Sequence, residues 1–593
     1  MKQFFKFMFA SFAGTVLTLI LILILFAGMM ASLASLAKKE AVETEPHTIL
    51  KIKWTTPIKD RGTNNPLAGF NFNTFKASKP VGLNEIIKTL DKAKQDPNID
   101  GIFLDMETIP AGIATTEEIR NKLADFKKSG KFIVSYANNY DQKAYYLASL
   151  GDKIYLNPNG TVLLKGLSAQ VMFFKNLMNK LGIKAQVIRG PNNKFKSAVE
   201  PFLLDKMSQA NRKQMQVLLK TFWDKMLNSI SISRKIKVSK LNNLANNLTL
   251  WNAEISKKNN MVDSVIYRDQ VITLLKKLSG VKKLRSISYN KYLKVKINKK
   301  EEHKKNINRN TLAVIYASGE IVQGKGNENN IGGVTLANAI RSARLNKRVK
   351  AIVMRVNSPG GDALASDVIR REVELAKKTK PFIVSMGDLA ASGGYWISTE
   401  ADYIFAEPTT ITGSIGVFGI IPDFQKFMNN KLGITFDKVM TNPNADFIDV
   451  MTSLSPTQKE RLNQGITGIY NKFTSLVART RHLRKSYVDS IARGRVWAGI
   501  TAKKLGLVNE MGGLQDAMAY AVKKGKLGVN YRIVNYPKRK EFIQQLVEEL
   551  GGQAQTKIVN YTLGPWKVYW NEIKTIQKLK GVQARLPFIL SIN

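Results

Sequence analysis

The stretch DLAASGGYWI (388–397) sets Ser392 among small residues, after the apolar run Phe382–Val384 and ahead of a predicted helix. A tight strand-to-helix turn of this kind exposes a serine hydroxyl as a nucleophile. The hydroxyl is weak and needs an adjacent base. Histidine is the usual base, but the chain has only His47, His303 and His482. His303 in KKEEHKKN and His482 in RTRHLRK read as solvated surface, so neither a histidine base nor a histidine-rich zinc site is supported. The chain has no cysteine, which excludes thiolate chemistry and a disulfide framework.

A lysine can take the proton if it is neutral, which requires its ordinary pKa of about 10.4 to fall. Burial in an apolar pocket lowers it. NKFKSAVEPF (193–202) carries Lys196 next to such a wall. The oxyanion of an acyl-transfer step needs backbone N–H donors. The glycine pair Gly360 and Gly361 in NSPGGDA (357–363) and the amide of Gly393 are the candidates. Ser414 and Thr412 in TITGSIGVFG (410–419) offer hydroxyls to orient the amine.

These residues sit on an internal repeat. IDGIFLDMETIPAG begins at Ile99 and VKAIVMRVNSPGG at Val349, an offset of 349 − 99 = 250. The same offset relates KFIVSY at 131 to PFIVSM at 381, and DKIYLNP at 152 to DYIFAEP at 402. Short apolar strands (Ile102–Leu104, Phe132–Val134, Ile352–Met354, Phe382–Val384) alternate with helical patterns such as TTEEIRNKLADFKKSG and LASDVIRREVELAKKTK. That alternation predicts an α/β fold with mostly parallel strands, present twice. The copies differ where chemistry would occur. Ser392 maps onto 392 − 250 = 142, which is Gln142, and the double glycine of NSPGG is missing from ETIPAGI. Opposite Lys196 the second copy has Asp446 or Phe447 in NPNADFIDVM. One copy keeps a serine and the other a lysine, as a single composite site would require.

The organisation expected is a membrane anchor over 1–45, a first α/β repeat over 46–280 and a lysine-rich linker over 281–310. A second repeat follows over 311–535, then an amphipathic helical tail over 536–593 that serves docking or assembly. From Phe7 to Ala37 no residue is charged, and about 20 apolar residues suffice to cross a bilayer. ASLASLA resembles a signal-peptide cleavage site, but the length of the apolar region favours retention. Lys2 and Lys6 before the span and Lys38 and Lys39 after it leave its orientation open. The formal net charge of +46 fits proximity to an anionic membrane surface. There is no arginine–aromatic stripe of the sort that reads bases, so nucleic acid is not an expected partner.

KSAVEPF, RVNSPGG, MGDLAASGGYWIST and TGSIGVFG stand in the order found in the signal peptide peptidase A family, and the chain resembles its long, two-repeat form from the N-terminal span to about 535. The resemblance implies two Clp protease/crotonase-like domains in tandem. It also implies a serine–lysine dyad in which Ser392 is the nucleophile, Lys196 the general base and Ser414 the group orienting the lysine, with Gly361 and Gly393 forming the oxyanion hole. It further implies a homotetramer on the periplasmic face of the bacterial inner membrane, a single-pass anchor in the lipid bilayer, no metal or cofactor, and cleaved signal peptides and other apolar peptides as substrates. A crotonase-type acyl-CoA enzyme and a non-catalytic membrane scaffold are the competing readings.

Overall fold

The computed structural model describes residues 2–37, 42–63, 70–71, 76–77, 79–190, 192–295, 310–538 and 582–585. Two sheets of like order dominate it. In the first, strands run Ser264–Val265, Lys153–Leu156, Phe132–Ala137, Ile99–Asp105, Thr48–Ile52, Arg285–Ser288, all parallel. In the second, the matching order is Glu510–Met511, Tyr403–Ala406, Phe382–Ala391, Val349–Ser358, Thr311–Ser318, Arg532–Tyr536, again parallel. The predicted short strands all fall inside these elements. The duplication is therefore three-dimensional, and the α/β class expected from the sequence holds.

The central strands read as continuous apolar runs because both faces are covered. Ile352 and Met354 face a core shared with the helices Gly333–Leu345 and Ala363–Lys377, whereas Ala351 and Val353 pack toward the helix Leu514–Lys524. The helices repeat at the predicted offset: Ile113–Lys127 and Ala363–Lys377 differ by 363 − 113 = 250 at both ends. Two 26-residue helices, Gln209–Arg234 and Pro456–Arg481, differ by 456 − 209 = 247, so the copies slip by three residues between these pairs.

Beyond residue 137 the copies diverge. Phe382–Ala391 continues past its sheet partner Tyr403–Ala406 and pairs Leu389, Ala390 and Ala391 with Ile411, Thr412 and Gly413. In the first unit this extension shrinks to one isolated bridge, Tyr140 to Val162. Those two residues are the 250-offset counterparts of Ala390 and Thr412.

A third sheet joins the two halves. Its order is Asn330–Gly332, Glu320–Val322, Gly360–Asp362, Val582–Arg585, Phe418–Asp423, Lys184–Arg189. Lys184–Arg189, from the first repeat, runs antiparallel to Phe418–Asp423 over six residue pairs. Two stretches depart from the expected organisation. Arg285–Ser288, inside the expected linker, is the outer strand of the first sheet, because its residues pair with Thr48–Lys51. Val582–Arg585, inside the expected helical tail, is a strand held between two others. The rest of that tail beyond 538 lies outside the described residues, as do 296–309.

The helix Lys2–Ala37 begins the chain, and its span Lys2–Ile24 has a mean hydropathy of 2.5. By length and composition it can cross a membrane, and none of its most apolar window is buried against the rest of the chain.

Candidate active site

The nucleophile candidate is placed by strain. Ser392 ends the extended strand Phe382–Ala391 with φ 57° and ψ −114°, a positive-φ conformation uncommon for a residue with a side chain. Its amide donates to the Gly413 carbonyl at 2.8 Å, and its carbonyl accepts the first helical bond from the Trp396 amide. The short helix Gly393–Ser398 that follows is anchored twice. Trp396 packs at a tilt against Phe473 of the helix Pro456–Arg481, ring centroids 4.4 Å apart, and Tyr395 Oη donates to the Leu507 carbonyl at 2.9 Å. The glycine after Gly393 is required by contact: a Cβ on Gly394 would sit 2.7 Å from the Ser358 carbonyl oxygen.

Lys196 enters from the first repeat, carried by the loop that leaves Lys184–Arg189, the strand shared between the halves. Phe195 N donates to the Arg493 carbonyl at 2.9 Å. Gln214, on the helix Gln209–Arg234, donates to the Phe195 carbonyl at 3.2 Å and accepts from Val496 N at 3.3 Å, so one side chain ties the lysine loop to the second repeat. The Arg495 guanidinium lies between the rings of Phe195, at 4.9 Å, and Trp497, at 4.0 Å. Gly494, at φ 77°, backs directly onto the lysine, and a Cβ there would fall 2.5 Å from Lys196 Cβ.

The two side chains meet. Lys196 Nζ lies 2.8 Å from Ser392 Oγ, 2.9 Å from Ser414 Oγ and 3.2 Å from the Ser414 carbonyl oxygen. Lys196 is 1% exposed, and Ser392 and Ser414 are fully buried. Among the described residues no carboxylate bonds the amine, and burial alone pushes its pKa well below the usual lysine range. An amine held neutral against a serine hydroxyl can accept that proton. Ser414 is itself at φ 51°, with its amide donating to the Arg495 carbonyl, so its position too is imposed by backbone.

The remaining candidates separate. Gly360 and Gly361 have φ 96° and 154° on the strand Gly360–Asp362. Gly360 N donates to Ser358 Oγ at 3.1 Å, and a Cβ on Gly360 would fall 2.7 Å from Gly393 N, whereas Gly361 pairs with Ile321 and Ala584 in the third sheet. Thr412 is not at the amine: its Oγ1 donates to the Ala390 carbonyl at 2.7 Å and so secures the strand before the nucleophile. Gln142, the counterpart of Ser392, is a structural residue that donates to the Gly166 carbonyl at 3.0 Å. Asp446 is likewise remote from the amine, bonded to Gln458 and Lys438.

Sequence reasoning missed how the halves are clamped. Arg355, fully buried on Val349–Ser358, bonds Asp60 at 2.7 Å and also pairs with Glu118, both from the first repeat. Burial opposes the Arg355 charge, but Glu118 and then Asp60 outweigh it and raise its pKa. Asp60 also accepts from Asn357 Nδ2 at 2.9 Å, and Asn357 Oδ1 accepts from Leu389 N at 3.1 Å. The clamp thus reaches the strand that ends at Ser392. Apart from the three charges themselves, the sequence carries no signal for it, because the partners are 295 and 237 residues apart.

Two parallel α/β units that share one sheet and bury a serine against a lysine define a tandem-repeat protein with a single composite site. Residues 125–282 and 374–528 match peptidase family S49, once in each unit. The chain is 38% identical to Protease 4 of Salmonella typhi over 483 residues, 78% of this chain and 76% of that one. It is 34% identical to the chloroplastic serine protease SPPA of Arabidopsis thaliana over 520 residues, 86% and 75% of the two chains. A solved ClpP1 mutant from Listeria monocytogenes aligns over 35% of this chain and 94% of its own at 16% identity, with a TM-score of 0.23, too low to bear on the fold. The chain belongs to peptidase family S49 and is a serine protease. That membership displaces the acyl-CoA and scaffold readings.

Proposed function

We propose that the chain is a membrane-anchored endopeptidase with a Ser392–Lys196 dyad, acting on cleaved signal peptides and other apolar peptides at the membrane. The observation that carries this reading is the 2.8 Å approach of a buried Nζ to a buried Oγ, where among the described residues no carboxylate bonds the amine.

In the proposed reaction, neutral Lys196 takes the Ser392 proton as Oγ attacks the peptide carbonyl carbon. The negative charge that develops on the carbonyl oxygen is met by the amides of Gly361 and Gly393. Protonated Lys196 then gives its proton to the departing amine, the C–N bond breaks, and an acyl ester remains on Ser392. Water, deprotonated by the same lysine, attacks the ester; the bond from the acyl carbon to Oγ breaks, and protonated Lys196 returns the proton to Ser392. Ser414 orients Nζ throughout.

The apolar helix Lys2–Ala37 supports a membrane location. The family resemblance extends the proposal to a homotetramer, single-pass in the bacterial inner membrane with its catalytic domain on the periplasmic side. The test is turnover of a fluorogenic apolar peptide and of a cleaved signal peptide by the full chain in detergent. Ser392→Ala and Lys196→Ala should each lose at least about three orders of magnitude in kcat. Full activity in either variant would overturn the dyad, and peptide turnover without signal-peptide turnover would overturn the substrate assignment.

A further inference from the structure

The strands Thr48–Ile52 and Arg285–Ser288 run parallel with Thr48 opposite Arg285, so both begin at the same edge of the first sheet. A groove of about 710 Å³ opens there, walled by residues 43–45 and Thr48 on one side and by residues 281–287 on the other. The stretch LLKKLSGVKKLR (274–285), which ends the helix Arg268–Leu278 and leads into the second strand, holds five basic residues and no acidic one. Arg285 is already engaged: its Nε pairs with Glu45 at 3.0 Å, and its Nη1 donates to the Pro46 carbonyl at 3.0 Å. Lys282 and Lys283 are exposed, and among the described residues no carboxylate pairs with either. Leu278, which stands in sequence between these lysines and Lys276 and Lys277, is 50% exposed.

The N-terminal helix limits where this edge lies. Lys2–Ala37 carries no charge from Phe7 onward, and 43 − 37 = 6 residues separate its end from Glu43. At about 3.5 Å per extended residue, that connection holds the groove within about 20 Å of the helix end. With the helix across a bilayer, this edge of the sheet stands in the zone of the lipid phosphates, where juxtamembrane lysines are attracted to anionic lipid. The net charge of +46 is spread over the whole chain and singles out no surface. Here a short tether, two unpaired lysines and an exposed leucine coincide. Ammonium groups set beside an apolar side chain suit the boundary between headgroups and acyl chains.

We infer that the groove between residues 43–48 and 281–287 binds the phosphate of an anionic phospholipid headgroup through Lys282 and Lys283, with Leu278 entering the acyl boundary. This rests on the membrane location proposed above and is independent of the dyad. A soluble phosphate ester carries the same charged group, but the tether keeps the groove beside lipid. Helix and groove then form two attachments on one side of the molecule. They fix the tilt of the catalytic body, which a six-residue connection alone would leave free to swing.

The test uses the full chain, whose lack of cysteine allows a single label. Ser286→Cys, exposed on the groove wall, carries a polarity-sensitive fluorophore. In vesicles of equal parts phosphatidylcholine and phosphatidylglycerol, its emission should shift to the blue relative to vesicles of phosphatidylcholine alone. Adding Lys282→Gln and Lys283→Gln should remove at least about half of the shift, because each basic residue near the surface contributes separately. Salt at about 1 M, where the Debye length is about 3 Å, should suppress it too. Equal emission in the two kinds of vesicle, or a shift that the lysine variant keeps in full, overturns the inference. The same shift produced by glycerol phosphate in detergent overturns the lipid assignment and gives the groove to a soluble phosphate. Flotation tests the anchor separately. If the chain floats with mixed vesicles but not with phosphatidylcholine alone, the anchor reading fails and the headgroup site stands.

Discussion

Asp388, four residues before Ser392, leaves the second repeat to hold the first: its carboxylate accepts from the Thr115 amide at 3.0 Å and from the Thr115 hydroxyl. Thr115 is in the first turn of the helix Ile113–Lys127, where amides have no helical partner. A residue of one repeat thus acts as the cap of a helix in the other. It fixes the segment leading to the nucleophile against the unit that supplies the lysine.

Replacing Asp388 by Ala should cost about 1 kcal/mol of stability, the usual loss for a helix N-terminal cap. A chemical denaturation midpoint checks it. Turnover should fall more than KM changes, because the residue touches the frame of the site and not the cleft.

Gly494→Ala is the sharper probe of the lysine. The position combines φ 77° with a backbone pressed onto Lys196, so any side chain displaces the amine. A shift of about 1 Å is enough to lower kcat by about 100-fold. Steady-state kinetics should show this loss with little change in KM.

The lysine's titration gives two readouts. Its pKa is lowered by burial, so kcat/KM should rise with pH as Lys196 loses its proton. For stability, the unfolded chain binds this proton up to the ordinary lysine range while the folded chain has already released it. Stability from this group therefore increases with pH between the folded and unfolded values. The cost is fully present below that window. Lys196→Met should abolish turnover yet raise the thermal midpoint at pH 7, whereas a merely structural lysine would lower it when removed.

Arg355→Met would leave the carboxylates of Asp60 and Glu118 buried without their cation. Breaking one side of such a buried pair costs about 3–5 kcal/mol. Equilibrium unfolding should show this loss, and limited proteolysis should separate the two repeats more readily. Restoration of stability when Arg355→Met is combined with Asp60→Asn and Glu118→Gln would identify the charge, and not the packing, as the cause.

The sequence is most informative where physics is local. Ile113–Lys127 and Ala363–Lys377 are legible from apolar spacing and terminal charges, and the buried strands from their short β-branched runs. The meeting of Lys196 with Ser392 is legible only because a duplication gives each residue a control position. Without Gln142 opposite the serine, Lys196 is one basic residue among 91. The third sheet is not legible, because its strands come from both halves and are short, and no periodicity reports which edges will pair. The helical expectation fails at Val582–Arg585 for the same reason: four residues take their conformation from two neighbouring strands, not from their own propensity. Arg355, Asp60 and Glu118 stay hidden because a buried charge is indistinguishable in sequence from a solvated one.

The lone bridge between Tyr140 and Val162 carries a consequence for stoichiometry. In the second repeat the same pair of positions lies within a strand extension that delivers Ser392 in a positive-φ turn. In the first, the chain instead enters a helix capped by Asp141, with Gln142 bonded to the Gly166 carbonyl. Writing a serine at 142 would add a hydroxyl but not the turn that makes one reactive. A covalent serine reagent should therefore titrate one equivalent per chain, before and after that substitution, and the two repeats amount to a fused heterodimer whose ancestral symmetry survives only in its scaffold.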